Sequence, residues 1–365
     1  MKKVAYLGWL GHGNLGDDGC YILFRNLVNK YSSSIIVEPI TVETISGNIS
    51  TFKVPFFQKK GSKKIWPISN ADYVVLGGGS LLNAPRYLEV LVRAHRKGIP
   101  TAICGTGIDG LSMENINAIR SGSTFRAPTR SPFDARYYSL LKQVVKNSTV
   151  IGVRGPHAYE LIRETGCDMK HTIVSGDLGL VLDQLSSVTK DETKRLVVIW
   201  GESKAASFGK NQSLLITQMD DWLSSHHFKT RPLVCILWSK DRIPAQRFVK
   251  KMGGKVDYYD KPLSLDNYRK VLSSAWGVIS YRLHGSVFSA ACKVPFISLS
   301  YRSKCYDFAD SISQPNWALD INQLSLTSDL DKWMHSVQGQ PFAEDTVEFY
   351  KGHIHSIIKQ IVASL

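Results

Sequence analysis

Short, continuous apolar runs alternate with amphipathic stretches along the whole of this 365-residue chain. In the first half, runs such as KVAYLGWL, SSIIVEPI and DYVVLGGG are separated by segments with helical periodicity. Strands that are apolar on both faces are typical of parallel sheets covered by helices on both sides. This alternation predicts an α/β fold with parallel sheets.

The same rhythm starts again after a polar, turn-rich segment, SSVTKDETK, that begins at residue 186. A chain of this length exceeds one ordinary hydrophobic core. We therefore predict two doubly wound, Rossmann-like domains, residues 1–188 and 189–340, that face each other across a cleft. Residues 341–365 are amphipathic without a following strand, and we expect this helix to pack back on the first domain.

Composition limits the class of protein. The six cysteines are scattered without a CxxC pair, which favours buried free thiols over disulfides or a zinc site. The N-terminal apolar run breaks at Gly11 without a cleavage site, so it predicts a first strand and no signal peptide. No apolar run approaches the length of a membrane-spanning helix. The expected location is the cytoplasm.

The formal net charge of +14 favours anionic partners. Basic residues interleaved with aromatics on one module, or a nucleic-acid-binding motif, are missing, so we expect no nucleic acid. A phosphorylated or lipid-pyrophosphate-linked substrate fits better, although the charge could serve solubility alone. Two basic segments, residues 53–64 and 120–136, are interpreted as surface loops, either solvated or in peripheral contact with an anionic membrane.

Glycine-rich turns follow two of the predicted strands in the first half. The first, GHGNLGDDG, contains Asn14, Gly16 and Asp17, and the second, LGGGSLLN, contains Gly78, Gly79 and Ser80. Both would lie at the carboxyl edge of one sheet, where α/β proteins bind ligands. Taken singly, each turn could equally reflect tight packing or helix capping by its carboxylates. Their shared edge favours a binding site.

The most informative segment is SYRLHGSVFSAACKVPFISLSYRSK, residues 280–304. It predicts strand, charged turn, helix, strand and a second charged turn. Because parallel strands joined by a helix end at the same edge, Arg282, His284 and Lys304 should converge there. Two cations and an imidazole suit a small, multiply charged anion on which proton chemistry is done.

Arg154 follows another predicted strand and precedes a helix at the same kind of edge, where arginine suits carboxylate or phosphate recognition. A surface arginine that caps a carbonyl is the alternative. His157, three residues later, is expected to be exposed. No histidine spacing indicates a metal site, so neither a metal nor an organic cofactor is expected.

Several of these motifs together resemble the polysaccharide pyruvyl transferases. The matching segments are NLGDD (residues 14–18), GGGSL (77–81), VRGPHAYELIRETG (153–166), SGDLGL (175–180) and the segment 280–304. They occur in the family's order over most of residues 1–310. The resemblance implies a GT-B-like fold and transfer of a carboxyethylidene group from phosphoenolpyruvate to two hydroxyls of a sugar.

The resemblance also implies roles for individual residues. His284 would be the acid/base, Lys304 the essential lysine, and Arg154 and Arg282 would bind the donor with Leu283 and Gly285 beside them. The acceptor would be a glycan of a cell-surface polysaccharide or its lipid-linked precursor, on the side of the glycine-rich turns. The charges agree, because phosphoenolpyruvate carries a carboxylate and a phosphate.

Two other functions remain open at the level of sequence. A nucleotide-sugar-dependent glycosyltransferase would share the GT-B architecture, and the acidic residues that could contact a ribose, such as Asp257 and Asp260, are too generic to decide. A non-catalytic protein that binds anionic glycans or membranes would also explain the net charge and the basic loops.

Overall fold

The computed structural model describes residues 1–42, 68–123, 125–126, 128–129, 133–184, 194–203, 208, 211–322, 325–337, 342 and 344–365. The basic segment 53–64 and the position of the predicted domain boundary, 188/189, lie outside these ranges. The segment 120–136 is described in part.

The described chain divides into two compact units. The first consists of Met1–Gly13, Asp17–Leu178 and Phe349–Leu365, and the second of Asn14–Gly16 and Gly179–Glu348. The main division therefore falls after Leu178, ten residues before the predicted boundary. Residues Asn14–Gly16 fold with the second unit although the sequence places them in the first, because they pair with its backbone.

The first unit contains one sheet of six parallel strands in the order β2-β1-β3-β4-β5-β6. The strands are β1 (Lys2–Leu7), β2 (Ile35–Ile40), β3 (Tyr73–Gly77), β4 (Thr101–Thr106), β5 (Val150–Val153) and β6 (Thr172–Val174). The helices are α1 (Leu15–Tyr31), α2 (Pro85–Arg96), α3 (Met113–Ser121), α4 (Ala135–Asn147) and α5 (Pro156–Glu164). This order changes direction between β1 and β3, so their carboxyl ends form the crevice where such sheets bind ligands.

The second unit has six parallel strands in the order β12-β11-β10-β7-β8-β9. The strands are β7 (Arg195–Ile199), β8 (Leu233–Cys235), β9 (Asp257–Tyr258), β10 (Ala275–Ser280), β11 (Phe296–Ser300) and β12 (Ala318–Asp320). The helices are α6 (Gln212–Ser225), α7 (Arg242–Met252), α8 (Leu265–Ser273), α9 (Leu283–Ala291), α10 (Ser303–Ser311), α11 (Leu326–Val337) and α12 (Glu344–Ala363), whose last turns belong to the first unit. This is the classical dinucleotide-binding order, and its crevice lies between β7 and β10.

Local chemistry explains where the helices begin and end. Ser112 caps α3 by accepting a hydrogen bond from the Asn115 N–H, and Asp134 caps α4 at the Tyr137 N–H, 2.8 Å away. Pro156 occupies the first position of α5, as its missing N–H allows. Gly122 ends α3 in the left-handed region, at φ 66°.

Each unit has an apolar core around its sheet. In the second unit, Trp200 at the end of β7 stacks on Phe248 of α7, with 3.9 Å between ring centroids. In the first unit, α12 lies on β5: Ile357 closely approaches Gly152, and the His353 Nδ1–H donates to the Val174 carbonyl, 2.9 Å away. The predicted fold class, two parallel-sheet α/β domains, is confirmed. Among the described residues, no helix combines the length and apolarity needed to cross a bilayer.

Candidate functional site

The crevice between β7 and β10 holds the most chemically distinctive side chains of the second unit. Strand β10 ends at Ser280, and α9 begins two residues later, with His284 in its first turn. The neighbouring strand β11 ends at Ser300, and Lys304 lies in the first turn of α10. The predicted convergence of two charged turns at one sheet edge is therefore what the parallel topology produces.

Arg282 forms a buried ion pair with Asp241. Asp241 is the last residue of a single 3-10 turn that follows β8. The Nε–H of Arg282 donates to Asp241 Oδ2 at 2.7 Å, and Nη2 donates to Asp241 Oδ1 and to the Glu202 carbonyl, the latter at 2.7 Å. A Cβ atom on Gly201 would lie 2.7 Å from Arg282 Nε and 2.8 Å from Asp241 Oδ2. Glycine at the end of β7 thus leaves the space that the pair occupies.

Burial and mutual charge set the ionisation of this pair. Burial raises the pKa of Asp241 above its ordinary value, and the hydrogen bonds and charge of Arg282 oppose that rise. Burial lowers the pKa of Arg282, but Tyr301 and Asp241 outweigh it, so the pKa lies above its ordinary value. Arg282 therefore keeps its proton, and Asp241 offsets its charge.

Aromatic rings surround the guanidinium and connect it with Lys304. The Arg282 Cζ lies 5.0 Å from the ring centroid of Trp238 and 5.5 Å from those of Tyr281 and Tyr301. The two tyrosine rings stack, 4.7 Å apart with 14° between their planes. Lys304 Nζ lies 5.3 Å from the Tyr301 ring, so both cations lie near this ring.

The donor capacity that remains on Arg282 is concentrated on Nη1. Among the described residues, this nitrogen makes one long hydrogen bond, 3.5 Å, to the Tyr301 hydroxyl. Nη1 can therefore donate a hydrogen bond to one oxygen of an anion while Nε and Nη2 stay bonded to Asp241. The arrangement differs from the bidentate clamp expected of an isolated arginine.

Asp241 and Tyr301 were missed by reasoning from the sequence. Asp241 lies 41 residues before Arg282, on a different strand-to-helix connection, and no local spacing links them. Tyr301 had a usable signal, because the tripeptide Ser-Tyr-Arg occurs twice, at residues 280–282 and 300–302. The repeat places a tyrosine directly after each of two adjacent parallel strands.

His284 is buried, with 7% of its surface exposed. Its ring lies 5.7 Å from that of Phe288, one turn later on α9. Leu283 and Gly285, predicted beside the donor, are buried as well. A Cβ on Gly285 would lie 3.1 Å from Ile199 Cγ1 and closer still to Ser280 Oγ, so this glycine lets α9 pack directly on β7 and β10.

In the first unit, Gly78 and Gly79 follow β3 at the crevice beside β1. Their φ angles, 66° and 61°, lie in the left-handed region, which explains why glycine stands there. Gly79 also approaches Asp17, whose Oδ1 would lie 3.0 Å from a Cβ on that residue. The predicted neighbours Asp17, Gly78, Gly79 and Ser80 are thus close together in this unit.

Arg154 is fully buried at the end of β5. It donates to the Gly79 carbonyl at 2.9 Å, to Ser80 Oγ at 3.2 Å and to the Ile108 carbonyl at 3.3 Å. Asp177 lies 3.9 Å away as a counter-charge. This geometry favours a structural role in holding the turns, and its contact with a donor stays a prediction. His157, expected to be exposed, is buried, so that expectation was wrong.

The first glycine-rich turn supplies residues to both units. Asp18 caps it from the first turn of α1 by accepting the Gly11 N–H at 2.9 Å. Burial raises the pKa of Asp18 to about 6, against the lowering effect of that hydrogen bond. Asn14 and Gly16, predicted on the acceptor side with the first domain, belong instead to the second unit.

Residues 14–303 of the chain match the family model of the polysaccharide pyruvyl transferases. The chain belongs to this family. Curated protein sequences give no significant match. The match begins after β1, includes β7 and β10 with the crevice between them, and ends at Ser303, one residue before Lys304. It supports a transferase in polysaccharide pyruvylation.

Solved structures similar to this family member have the GT-B fold. An S. aureus MnaA–UDP complex superimposes with a TM-score of 0.59 at 10% identity, covering 98% of this chain and 97% of that one. A UDP-N-acetylglucosamine 2-epimerase from Rickettsia bellii gives 0.58 at 13% identity, with coverages of 100% and 96%. Sucrose-phosphate synthase from Thermosynechococcus elongatus gives 0.56 at 11% identity, with coverages of 99% and 98%. At such identities the likeness concerns the fold alone.

Proposed function

We propose that this pyruvyl transferase moves a carboxyethylidene group from phosphoenolpyruvate to two hydroxyls of a sugar, with release of phosphate. The observation that carries the proposal is the grouping at one sheet edge of Arg282, Lys304 and His284. Two cations associated with Tyr301 match a donor with two anionic groups, and a histidine two residues after Arg282 supplies proton transfer.

The reaction needs a proton at two moments. Protonation of the methylene carbon of phosphoenolpyruvate makes the neighbouring carbon electrophilic, and a first sugar hydroxyl adds there and loses its proton. The carbon–oxygen bond to phosphate then breaks, and phosphate leaves with the bonding electrons. The second hydroxyl adds and loses its proton, which closes the cyclic ketal. Of the two protons that the hydroxyls lose, one replaces the proton given to the methylene carbon and the other ends on the released phosphate.

The described side chains divide these tasks. His284 gives the proton to the methylene carbon and receives one from an attacking hydroxyl, as an imidazole can near neutral pH. Arg282 offers Nη1 to one oxygen of the donor while Asp241 holds the rest of the guanidinium. Lys304 offsets the charge that develops on the departing phosphate. The scheme needs no metal and no organic cofactor.

The first test is phosphate release from phosphoenolpyruvate with a panel of free and lipid-linked glycans. H284Q is expected to lower kcat by about 10²- to 10⁴-fold, the usual contribution of general acid–base catalysis. H227Q, which changes an exposed histidine of the same unit, should leave kcat unchanged. Near-normal turnover by H284Q would remove His284 from the mechanism.

A nucleotide-sugar-dependent glycosyltransferase is the second candidate, because one structurally similar protein was solved with UDP. Thermal-shift measurements separate the two. Stabilisation of the protein by phosphoenolpyruvate but not by UDP-sugars supports the pyruvyl transferase. The opposite pattern would support the glycosyltransferase.

The proposed acceptor is a cell-surface glycan or its lipid-linked precursor, as the family implies. Because phosphoenolpyruvate is made inside cells, the proposal places the reaction in the cytoplasm. A lipid-linked acceptor would bring the enzyme to the inner face of a membrane, which the net charge of +14 would favour.

A further inference from the structure

A three-residue segment of the N-terminal motif, Asn14–Gly16, is part of the second unit and is here called the strap. Asn14 forms an isolated antiparallel bridge with Trp238, and the Leu15 N–H donates to the Leu237 carbonyl at 2.8 Å. The Gly16 N–H donates to the Asn14 side chain at 3.2 Å. Backbone hydrogen bonds therefore fix the strap to the connection that follows β8.

Gly16 of the strap lies directly against the imidazole of His284. A Cβ atom built on Gly16 would lie 2.7 Å from His284 Cε1 and closer still to Nδ1 and Cγ. Approaches under 3.0 Å are essentially never seen for real Cβ atoms, so one of the two groups would have to move. The imidazole can therefore lie with its Nδ1 side against residue 16 only because glycine has no side chain.

The backbone at Gly16 does not itself require glycine. Gly11 and Gly13 in the same motif have φ angles of 79° and 67°, in the left-handed region, but Gly16 is outside that region and lies in the first turn of α1. Glycine is unfavourable in a helix by roughly 1 kcal/mol relative to alanine. What glycine provides at this position is space for the imidazole.

We propose that Gly16 is a positioning residue for His284, holding the imidazole where it can exchange protons with the substrates. The inference rests on the proposed function, in which His284 is the acid/base. The sequence-based interpretation of Gly16 as an acceptor-binding residue stays a separate prediction. Displacing a catalytic group by about 1 Å can lower the rate on the order of 10²-fold. A movement of the imidazole away from a new Cβ atom at residue 16 should therefore be visible in kcat.

The test uses the full chain and the substitution G16A, with G352A as the matched control. Gly352 is also helical, but a Cβ there would meet nothing within 4 Å. G16A is expected to lower kcat by about 10²-fold with a smaller change in KM for phosphoenolpyruvate. Combined with H284Q, it should have little further effect, because Gly16 acts through His284. An equal loss of kcat in both backgrounds would overturn the proposal.

Two further measurements do not depend on activity. G16A should lower the melting temperature in the wild-type background but not in the H284A background, where the imidazole is gone. If the G16A protein folds only when H284A is also present, the contact is supported as well. If the G16A protein fails to fold in both backgrounds, the contact is contradicted. In protein labelled with ¹³C at the histidine Cε1, G16A should move the His284 resonance and G352A should not.

These readouts separate the two proposals. If the wild-type protein releases no phosphate from phosphoenolpyruvate but the His284 resonance and the melting temperatures behave as expected, the proposed function fails and the positioning of His284 stands. If the resonance does not move in a folded G16A protein, the positioning role fails whatever the reaction is.

Discussion

The hydrogen-bond partners of Arg282 fix the orientation of its guanidinium group. Asp241 takes the Nε–H and one donor of Nη2, and the Glu202 carbonyl takes the other. An arginine bound in this way loses less conformational freedom when an anion arrives, because its guanidinium is already oriented. The same acid that offsets the charge therefore also prepares Nη1 to bind.

The substitution D241N should reduce both stability and donor binding. It leaves a buried guanidinium without its counter-charge, and such changes cost on the order of 3 kcal/mol or more. We expect a melting temperature lower by roughly 6 °C or more, together with a higher KM for phosphoenolpyruvate because Arg282 is free to turn.

The matched control is D260N, which breaks the Arg242–Asp260 pair of the same unit. Both side chains of that pair are about half exposed, and such pairs contribute roughly 0 to 1 kcal/mol. Equal melting temperatures for D241N and D260N would show that the buried pair is not structurally important.

At the scale of elements, the sheet edge that carries the candidate site depends on how closely α9 approaches β10. Gly285 allows that approach, because its missing side chain leaves room for Ser280 Oγ and Ile199. The same helix carries His284 one residue earlier, so a shift of α9 would move the imidazole as well. The packing of α9 and the position of the His284 imidazole are therefore coupled through one turn of helix.

G285A should therefore destabilise the protein, although alanine normally favours a helix. Overpacking of this kind costs about 1–3 kcal/mol, more than the helix propensity that alanine adds. The control G352A, which adds its Cβ in open space, should raise the melting temperature slightly. Adding S280A should restore part of the loss, and a G285A protein as stable as the wild type would contradict the packing argument.

Much of the element pattern could be predicted, because strands covered on both faces are apolar throughout and several helices carry local caps. The apolar run DYVVLGGG, for example, contains β3, Tyr73–Gly77. Strand order and the pairings across the sheet could not be predicted. Asp241 meets Arg282, and Gly16 meets His284, only because β8, β7 and β10 are neighbours and the strap pairs with the connection after β8.

At the scale of the whole molecule, the net charge of +14 is a property that no single site explains. We expect the protein to sediment with vesicles that contain anionic lipid and not with neutral ones. The bound fraction should fall steeply between about 0.05 M and about 0.5 M NaCl, because salt screens charges beyond a few ångströms at high concentration.

A pair of charge-matched variants locates the effect. One replaces Lys59, Lys60, Lys63 and Lys64 by glutamine, and the other replaces the exposed Lys229, Lys250, Lys251 and Lys270. A larger loss of vesicle binding in the first variant assigns the contact to the basic segment. Equal losses would mean that total charge alone is responsible, and salt-independent binding would contradict an electrostatic contact.

The division of the chain also has a consequence for its synthesis. Ile357 of α12 approaches Gly152 of β5, so 179 residues (357 − 178) must be added after Leu178 before this contact can form. At usual rates of translation this takes roughly 10 to 40 s. During that interval β5 is not yet covered by α12, whereas most of the second unit has already been synthesised and can begin to fold.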